Sequence, residues 1–393
     1  MRKKRILIVN KSFELGGIQS SMVNMANELS EQFEVHLFVY NPVGVMKERL
    51  SSSVRVIEPT WMFRCLGMSL KQAIHTKNPK MILYRTFATV WSRLFSNQFP
   101  IALAIKHQPK MLGYDLAIAY HQEQRKKTVV SGFARVVDKC VDAKIKAAWL
   151  HYDCTTIELD SAYNNPFYQK MDKIVCVSKS LMSSFAKANP DLSDKVEYCY
   201  NFIPYHSIKE KSLENQKIAY PSNRFICFSA CRLTEEKALV RGIAAISDVL
   251  KMHTDVVWYI AGEGVERNNI ENAIKAYGVE QQVVLLGHQL NPYPYMRNAN
   301  LVMNLSYHEA APMVFLESMA LGVPVFATRT SSAEELLCDK KDSFVCDNSA
   351  EGIRDQFAWI VENKECVRNF RQRLVEYHAS NEIAISKITK WIE

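Results

Sequence analysis

Several residues in this 393-residue chain have types and spacings that suit chemistry. In the segment CRLTEEK, 231–237, Arg232 and Lys237 place a guanidinium fork and an ammonium point charge in one short stretch, a combination suited to a group that gains negative charge. In SYHEAAPMVFLESMALGVPVFAT, 306–328, seven residues separate Glu309 from Glu317, and Pro312 lies between them. Proline has no N–H to lose in the first turn of a helix, so Glu309 falls in the loop before a helix and Glu317 falls within it. The two carboxylates can then address different parts of one ligand. The helix start at Pro312, Met313 and Val314 offers unpaired N–H groups and the positive dipole end, which suits a phosphate. In NKSFELGGIQ, 10–19, Gly16 and Gly17 allow close backbone approach to a ligand at a second helix start. Gly262 and Gly264 in AGEGVE, 261–266, form a similar turn, and His151 in WLHYD, 149–153, follows an apolar run, placed for hydrogen bonding or proton handling. Taken singly, each has a plainer reading: solvated glutamates, a solvent-facing basic pair, tight turns, a structural histidine.

The elements that must hold these residues alternate along the chain. Apolar runs at 6–10, 34–40, 54–58, 81–84, 116–120, 147–151, 174–178 and 196–200 read as strands, with helical periodicity at 18–30 and between several of the others. A second series, 225–230, 256–261, 283–286, 301–305, 323–328 and 344–346, follows a polar stretch with Pro204 and Pro221. Repeated strand, helix, strand order implies parallel sheets covered on both faces, hence an α/β fold of two doubly wound, Rossmann-like domains facing each other across a cleft. Ligands in such folds sit at the carboxyl ends of strands, where 231–237 and the 306–312 loop fall. The expected domains are 1–204, a linker at 205–224, 225–375, and a C-terminal helix at 376–393 placed to pack back on the first domain.

Composition narrows the classes. With 48% hydrophobic and 23% charged residues the chain has the balance of a folded globular protein. The longest charge-free run, 281–296, has 16 residues and contains Pro292 and Pro294, short of the ~20 apolar residues a spanning helix needs. The basic start, Arg2 to Arg5, precedes too few apolar residues for a signal-peptide core, so the protein is expected to stay in the cytoplasm. Ten cysteines lie singly and read as reduced thiols; no metal is implied.

Net charge is +8, but residues 1–205 carry 28 basic against 17 acidic residues, and the remainder 21 against 24. Within 59–114 there is no Asp or Glu, eight Lys and Arg, and six interleaved Trp and Phe. Such a stretch suits an anionic membrane surface, which would put the protein at the inner face of the cytoplasmic membrane; the alternative is a solvated face over ordinary core aromatics. No nucleic-acid-binding pattern accompanies the charge.

The two long motifs, in the register of Ser306, Pro312, Met319, Ala320, Gly322 and Pro324, resemble those of the retaining GT-B glycosyltransferases of group 1, which assemble bacterial polysaccharides and lipid-linked glycans. The resemblance covers most of the chain and is strongest over 225–328. It implies that Glu317 holds the ribose of a nucleotide, that Glu309 lies against the donor sugar, and that Arg232 and Lys237 stabilise the departing diphosphate. It places the backbone of His288 and Gln289 near the base, Gly262 and Gly264 in a turn of the donor site, His151 near the sugar or the acceptor hydroxyl, and Gly16 and Gly17 at a diphosphate or acceptor. Ala238 stands where the family usually has Gly after the lysine, and Gln19 and Ser20 replace an acidic residue and an arginine. The implied activity is metal-independent transfer of a sugar from a nucleotide-diphosphate donor, UDP or GDP, to a glycan or lipid-linked acceptor in capsule, exopolysaccharide or lipopolysaccharide assembly, with no other cofactor. A nucleotide-sugar epimerase, a phosphorylase or a non-catalytic glycan-binding scaffold are the alternatives.

Overall fold

The computed structural model describes residues 2–152, 161–214, 218, 220–337, 341–375, 377 and 380–393. Two compact units divide the chain: residues 1–202 with 381–393, and 203–380.

The first unit is built on seven strands, β1 (Arg5–Ser12), β2 (Glu34–Asn41), β3 (Arg55–Ile57), β4 (Met111–Ala119), β5 (Val141–Leu150), β6 (Lys173–Cys176) and β7 (Val196–Tyr198). Their order is β3-β2-β1-β4-β5-β6-β7, and every pairing is parallel. The second unit has six, β8 (Phe225–Ala230), β9 (Val256–Ala261), β10 (Val283–Gly287), β11 (Leu301–Asn304), β12 (Val325–Thr328) and β13 (Phe344–Cys346), in the order β10-β9-β8-β11-β12-β13, again all parallel. Both are doubly wound sheets. The order reverses beside β1 in one and beside β8 in the other, and the crevice that forms outside the strand ends at such a reversal is where these folds bind ligands.

The central strands read as continuous apolar runs because helices cover both faces. All six residues of β9 are buried, and Trp258 from it donates its indole N–H to Ser229 Oγ at 3.0 Å, which in turn donates to the Met303 carbonyl at 2.6 Å. That relay satisfies the polar atoms that β8, β9 and β11 bring into the core. The helix Leu239–Met252 packs so closely that a Cβ on Gly242 would lie 2.6 Å from Leu305 Cδ1. Each large apolar side chain fully buried here contributes about 1.5–3 kcal/mol.

The run 81–84, expected as a strand, lies inside the helix Pro79–Leu94. Asn78 caps it by accepting from the N–H groups of Lys80 and Met81 at 3.1 and 3.4 Å, and Pro79 occupies its first turn. Four helices, Trp61–Gly67, Leu70–His75, Pro79–Leu94 and Gln98–His107, fill the interval between β3 and β4. The stretch 205–224, read as a linker, opens with the helix Tyr205–Lys211, whose Ile208 packs with Ile203 and Tyr293. At the other end, the helix Glu382–Ile392 belongs to the first unit: Trp391 meets Trp149 at 6.0 Å, and Lys387 Nζ donates to the Tyr198 carbonyl at 2.6 Å. Among the described residues no helix is long and apolar enough to cross a membrane.

Candidate functional site

The second unit gathers most of the chemistry-bearing residues at the carboxyl ends of β8, β9 and β11. Beyond β8 the chain runs through 231–238, and beyond β9 through 262–266. These loops are stitched backbone to backbone: Cys231 N–H donates to the Ala261 carbonyl at 3.1 Å, Leu233 N–H to Glu263 at 2.9 Å, and Glu266 N–H to Leu233 at 3.0 Å. The glycines make that approach possible. Gly262 has φ +150°, and a Cβ there would lie 1.8 Å from the Cys231 carbonyl oxygen; a Cβ on Gly264 would lie 2.1 Å from that of Leu233. Gly262 and Gly264 thus bring one loop against the other, and their small size is used by protein backbone.

The paired loops fix where Lys237 emerges. It ends a short 3-10 turn, Glu235–Lys237, and Ala238 follows in the left-handed region at φ 51°, ψ 32°, before the helix Leu239–Met252. A glycine would adopt that conformation freely, whereas alanine pays roughly 1–2 kcal/mol. The turn is therefore preserved with Ala at this position.

Because β8 pairs with β11, the loop after β11 lies beside Lys237. Lys237 Nζ donates to Glu309 Oε1 at 2.6 Å, and the two side chains are only 18% and 12% exposed. The same oxygen accepts from Ser306 Oγ at 2.8 Å and Asn304 Nδ2 at 3.3 Å. The Glu309 carbonyl accepts from the hydroxyls of Ser331 and Ser332 at 2.8 and 3.2 Å, and Tyr307 N–H donates to the Glu236 carbonyl at 2.9 Å. Arg241 braces the loop from behind, donating to the Leu305 carbonyl at 2.8 Å and stacking 4.0 Å over the Tyr307 ring. Arg232 differs from Lys237: its guanidinium is 66% exposed, with Glu236 at 3.4 Å. One cation is held and the other reaches into solvent. Burial pushes the Cys231 thiol beside them up to about 12, so it is unreactive.

The helix Met313–Ala320 begins after Pro312, with no side-chain cap and no acidic residue in its first turn. The backbone of Met313 and Val314 therefore forms a helix start suited to an anion. Glu317 lies one turn on, where Tyr293 Oη donates to its Oε1 at 3.3 Å. His288 is exposed and Gln289 half-buried just past β10; the Gln289 side chain donates to the Leu286 carbonyl at 2.8 Å. Gly287, φ +70°, ties this end to Gly262, whose N–H it accepts at 2.8 Å.

In the first unit, Gly16 and Gly17 lie between β1 and the helix Gly17–Ser30. Gly16 is extended, with φ 173°, and a Cβ on Gly17 would meet nothing within 4 Å, so neither glycine is demanded by strain and Gly17 borders open space. The helix is anchored one turn later. Ser21 Oγ lies 2.7 Å from Tyr120 Oη and donates to Asn201 Oδ1 at 3.1 Å, and Asn24 Nδ2 donates to the Phe202 carbonyl at 3.0 Å.

His151 is buried just past β5. Its ring Nε2–H donates to the Tyr120 carbonyl at 2.8 Å, leaving Nδ1 as the acceptor, and its backbone N–H donates to Gln122 Oε1 at 3.0 Å. Desolvation, with a smaller effect of His121, lowers its pKa to about 3; His121, stacked 4.8 Å from Phe133, is lowered to about 4, again mainly by desolvation. Both are neutral near pH 7. His151 is thus equipped as a fixed hydrogen-bonding group and poorly suited to take up a proton. Asp153 of the same motif lies outside the described residues.

Some supporting residues escaped the sequence motifs. Asn304 reaches Glu309 beside the motif residue Ser306, and a polar Asn ending the apolar run of β11 was the available signal. Glu123, fully buried, accepts from Ser131 Oγ at 2.5 Å and from the N–H groups of Gly132 and Ala134 at 2.7 and 2.9 Å, thereby capping the helix Phe133–Cys140. Among the described residues no cluster of three or more His, Cys, Asp or Glu could hold a metal ion.

Residues 210–380 match the family described as glycosyl transferases group 1. The N-acetyl-alpha-D-glucosaminyl L-malate synthase of Bacillus anthracis is 25% identical over 242 residues, 57% of this chain and 60% of that protein. The N-acetylgalactosamine-N,N'-diacetylbacillosaminyl-diphospho-undecaprenol 4-alpha-N-acetylgalactosaminyltransferase of Campylobacter jejuni is 32% identical over 176 residues, 44% of this chain and 46% of that protein. The chain thus spans about half the length of these curated relatives. The crystal structure of HepE from Anabaena in complex with UDP and glucose aligns with a TM-score of 0.68 and 17% identity over 99% of each chain. The fold is GT-B, with two doubly wound Rossmann-like units, and the sequence resembles the glycosyl transferases group 1 family.

Proposed function

We propose, from the premise that residues 210–380 are of the glycosyl transferases group 1 type, that the chain is a retaining glycosyltransferase. It would move a sugar from a nucleotide-diphosphate donor to a hydroxyl of a glycan or lipid-linked acceptor, in the assembly of a capsule, exopolysaccharide or lipopolysaccharide. The observation that carries this reading is the largely buried Lys237–Glu309 pair, set beside exposed Arg232 at the strand-order reversal of the second sheet. UDP is the favoured nucleotide, supported by its presence in the HepE complex, with GDP the other candidate.

In this reading the Lys237 ammonium keeps one donor on Glu309 and turns the others to the diphosphate, while Arg232 closes over it from solvent. The N–H groups of Met313 and Val314 take a phosphate oxygen, Glu317 takes the ribose hydroxyls, and the 287–289 turn lies along the base. As the glycosidic bond breaks, the bonding electron pair goes to the diphosphate oxygen, where the two cations stabilise it. The acceptor hydroxyl attacks from the same face, and that phosphate oxygen takes its proton, which retains the anomeric configuration without a protein nucleophile. Gly16, Gly17 and His151 are assigned to hydrogen-bonding the acceptor. The cations supply the charge that a divalent metal would otherwise provide, so the transfer is metal-independent.

The test is a panel of UDP- and GDP-sugars scored by thermal shift, since a ligand at 100 times its dissociation constant stabilises by about 2.7 kcal/mol. Positive donors are then incubated with glycan and lipid-linked acceptors, with and without EDTA, and the anomeric proton of the product is read by NMR. Retained configuration in EDTA is expected. Conversion of the donor without acceptor would mean an epimerase, and activity restored only by added magnesium or manganese would remove the cationic mechanism.

A further inference from the structure

The helix Pro79–Leu94 is amphipathic in the reverse of the usual sense. The residues it buries are Tyr84, Arg85, Ala88 and Ser92, and Arg85 is satisfied there by the Met68 carbonyl and Thr89 Oγ1, both at 2.7 Å. Its opposite face carries Leu83, Phe87, Val90, Trp91 and Leu94, spaced 4, 3, 1 and 3 apart, which is one stripe of a 3.6-residue helix. Leu83 and Leu94 are 73% and 68% exposed, and Phe95, just beyond the helix, is 61% exposed. The aromatic rings hold one another: Trp91 lies 4.8 Å from Phe95 and 4.9 Å from Phe99, and 5.7 Å from Phe87. A helix that turns an arginine and a serine inward and two leucines outward has its apolar face shaped for something other than its own core.

The charge around the stripe identifies what that is. Residues 59–114 contain no carboxylate side chain, and Lys71, Lys77, Lys80, Arg93 and Lys106 are all exposed. Lys80 lies on the stripe's own face, one turn before Leu83. A second copy of this chain seated on the stripe would bring two like-charged rims together, whereas an anionic bilayer offers phosphate to the rim and acyl chain to the stripe.

We propose that the Leu83–Phe87–Val90–Leu94 face, with Trp91 and Phe95, inserts into the headgroup region of an anionic membrane while the surrounding lysines and arginines hold its phosphates. The inference stands apart from the donor-site reading, because it rests on no residue of the second unit. It gives the first unit a fixed orientation on a lipid surface, where a lipid-linked acceptor would be presented.

The test is flotation of the full chain with vesicles of phosphatidylglycerol and phosphatidylcholine, and with phosphatidylcholine alone. Wild-type protein is expected to float with the anionic vesicles near ~0.1 M salt and to be released near ~1 M, as the screening length falls from about 10 to 3 Å. Lipids brominated on the acyl chain should quench its tryptophan emission, and Trp91→Phe should lose part of that quenching. The variant Leu83→Gln/Leu94→Gln/Phe95→Gln changes no charge and only exposed side chains; it should keep its melting temperature and UDP shift but partition about tenfold or more weakly. Lys71→Glu/Lys77→Glu/Lys80→Glu should stop floating at any salt. Wild-type protein that ignores anionic vesicles, or a triple-Gln variant that floats like wild type, overturns the proposal. So does a wild-type dimer in light scattering that the triple-Gln substitution splits while neither protein floats, since the stripe would then be an interface between copies.

Discussion

Replacing Glu309 by Gln removes one charge and almost nothing else. The amide oxygen can still accept from Ser306 and Asn304, but the Lys237 ammonium, 2.6 Å away, loses its counter-ion in a site where both side chains are mostly buried. Exposed ion pairs are worth about 0.2–1 kcal/mol, and breaking a fully buried one costs about 3–5 kcal/mol. A pair 12–18% exposed falls between, at about 1–3 kcal/mol. For a unit of this size, each kcal/mol moves the melting temperature by about 2–4 °C, so Glu309→Gln should melt roughly 2–12 °C below wild type without ligand. Adding UDP should narrow that gap. The diphosphate supplies the negative charge Lys237 has lost, so UDP should bind the variant at least as tightly as wild type while turnover falls. Calorimetry of UDP binding and melting of both single variants and of Lys237→Met/Glu309→Gln complete the cycle; the coupling energy should be about 1–3 kcal/mol. A coupling near zero, or UDP affinity falling as much in Glu309→Gln as in Lys237→Met, would refute the reasoning.

Lys237→Ala should chiefly lower turnover, by about 10²-fold as for loss of one charge-stabilising donor, whereas Glu317→Ala should weaken UDP binding; steady-state kinetics and calorimetry separate the two, and unchanged turnover in both removes the assignments. At an ordinary helical position Ala→Gly costs about 1 kcal/mol, but Ala238 has φ 51°, so Ala238→Gly should leave stability unchanged or slightly higher, and a chemical-denaturation loss of about 1 kcal/mol or more would contradict the left-handed turn. His121 and His151 have folded pKa values near 4 and 3, below the unfolded ~6.5, so the unfolded chain takes up protons first. Their contribution is fully present above about pH 6.5 and lost as pH falls toward 4 and then 3, with a slope approaching about 1.4 kcal/mol per pH unit for each; denaturation at pH 7 and 5 should show it, His151→Asn should reduce it, and a flat profile would mean the rings are not desolvated.

The strands of the second sheet were legible because a parallel sheet covered on both faces demands unbroken apolar runs, as in β9, and turn residues mark their ends. The run 81–84 satisfied the same criterion and is helix. Four apolar residues carry no period, and the deciding signal was Asn78–Pro79, a cap followed by a first-turn proline. Lys237 and Glu309 stood out in the sequence as charged residues of two motifs, with roles implied only by the family resemblance, and their contact was not visible. They are 72 residues apart, and they meet because β11 inserts beside β8, a strand order that periodicity does not encode. Gly262 and Gly264 were visible as a turn, yet what they approach is the backbone of Cys231 and Leu233, which only the folded loops reveal.

That strand order has a further consequence for the proposed transfer. A cation stabilises a departing diphosphate most when it is in place before charge develops, because no protein reorganisation is then charged against the barrier. Lys237 meets this condition through backbone geometry: the 231–238 loop is bonded to the 262–266 loop, Tyr307 N–H ties it to the loop after β11, and Glu309 holds the ammonium itself. Arg232, exposed and only weakly engaged by Glu236, is the opposite case. In the proposed transfer the two cations would therefore divide the work by rigidity, Lys237 as a fixed charge under the phosphates and Arg232 as one that arrives with the donor. On that proposal, binding of the donor would order Arg232 at an entropic cost that Lys237 has already met in folding.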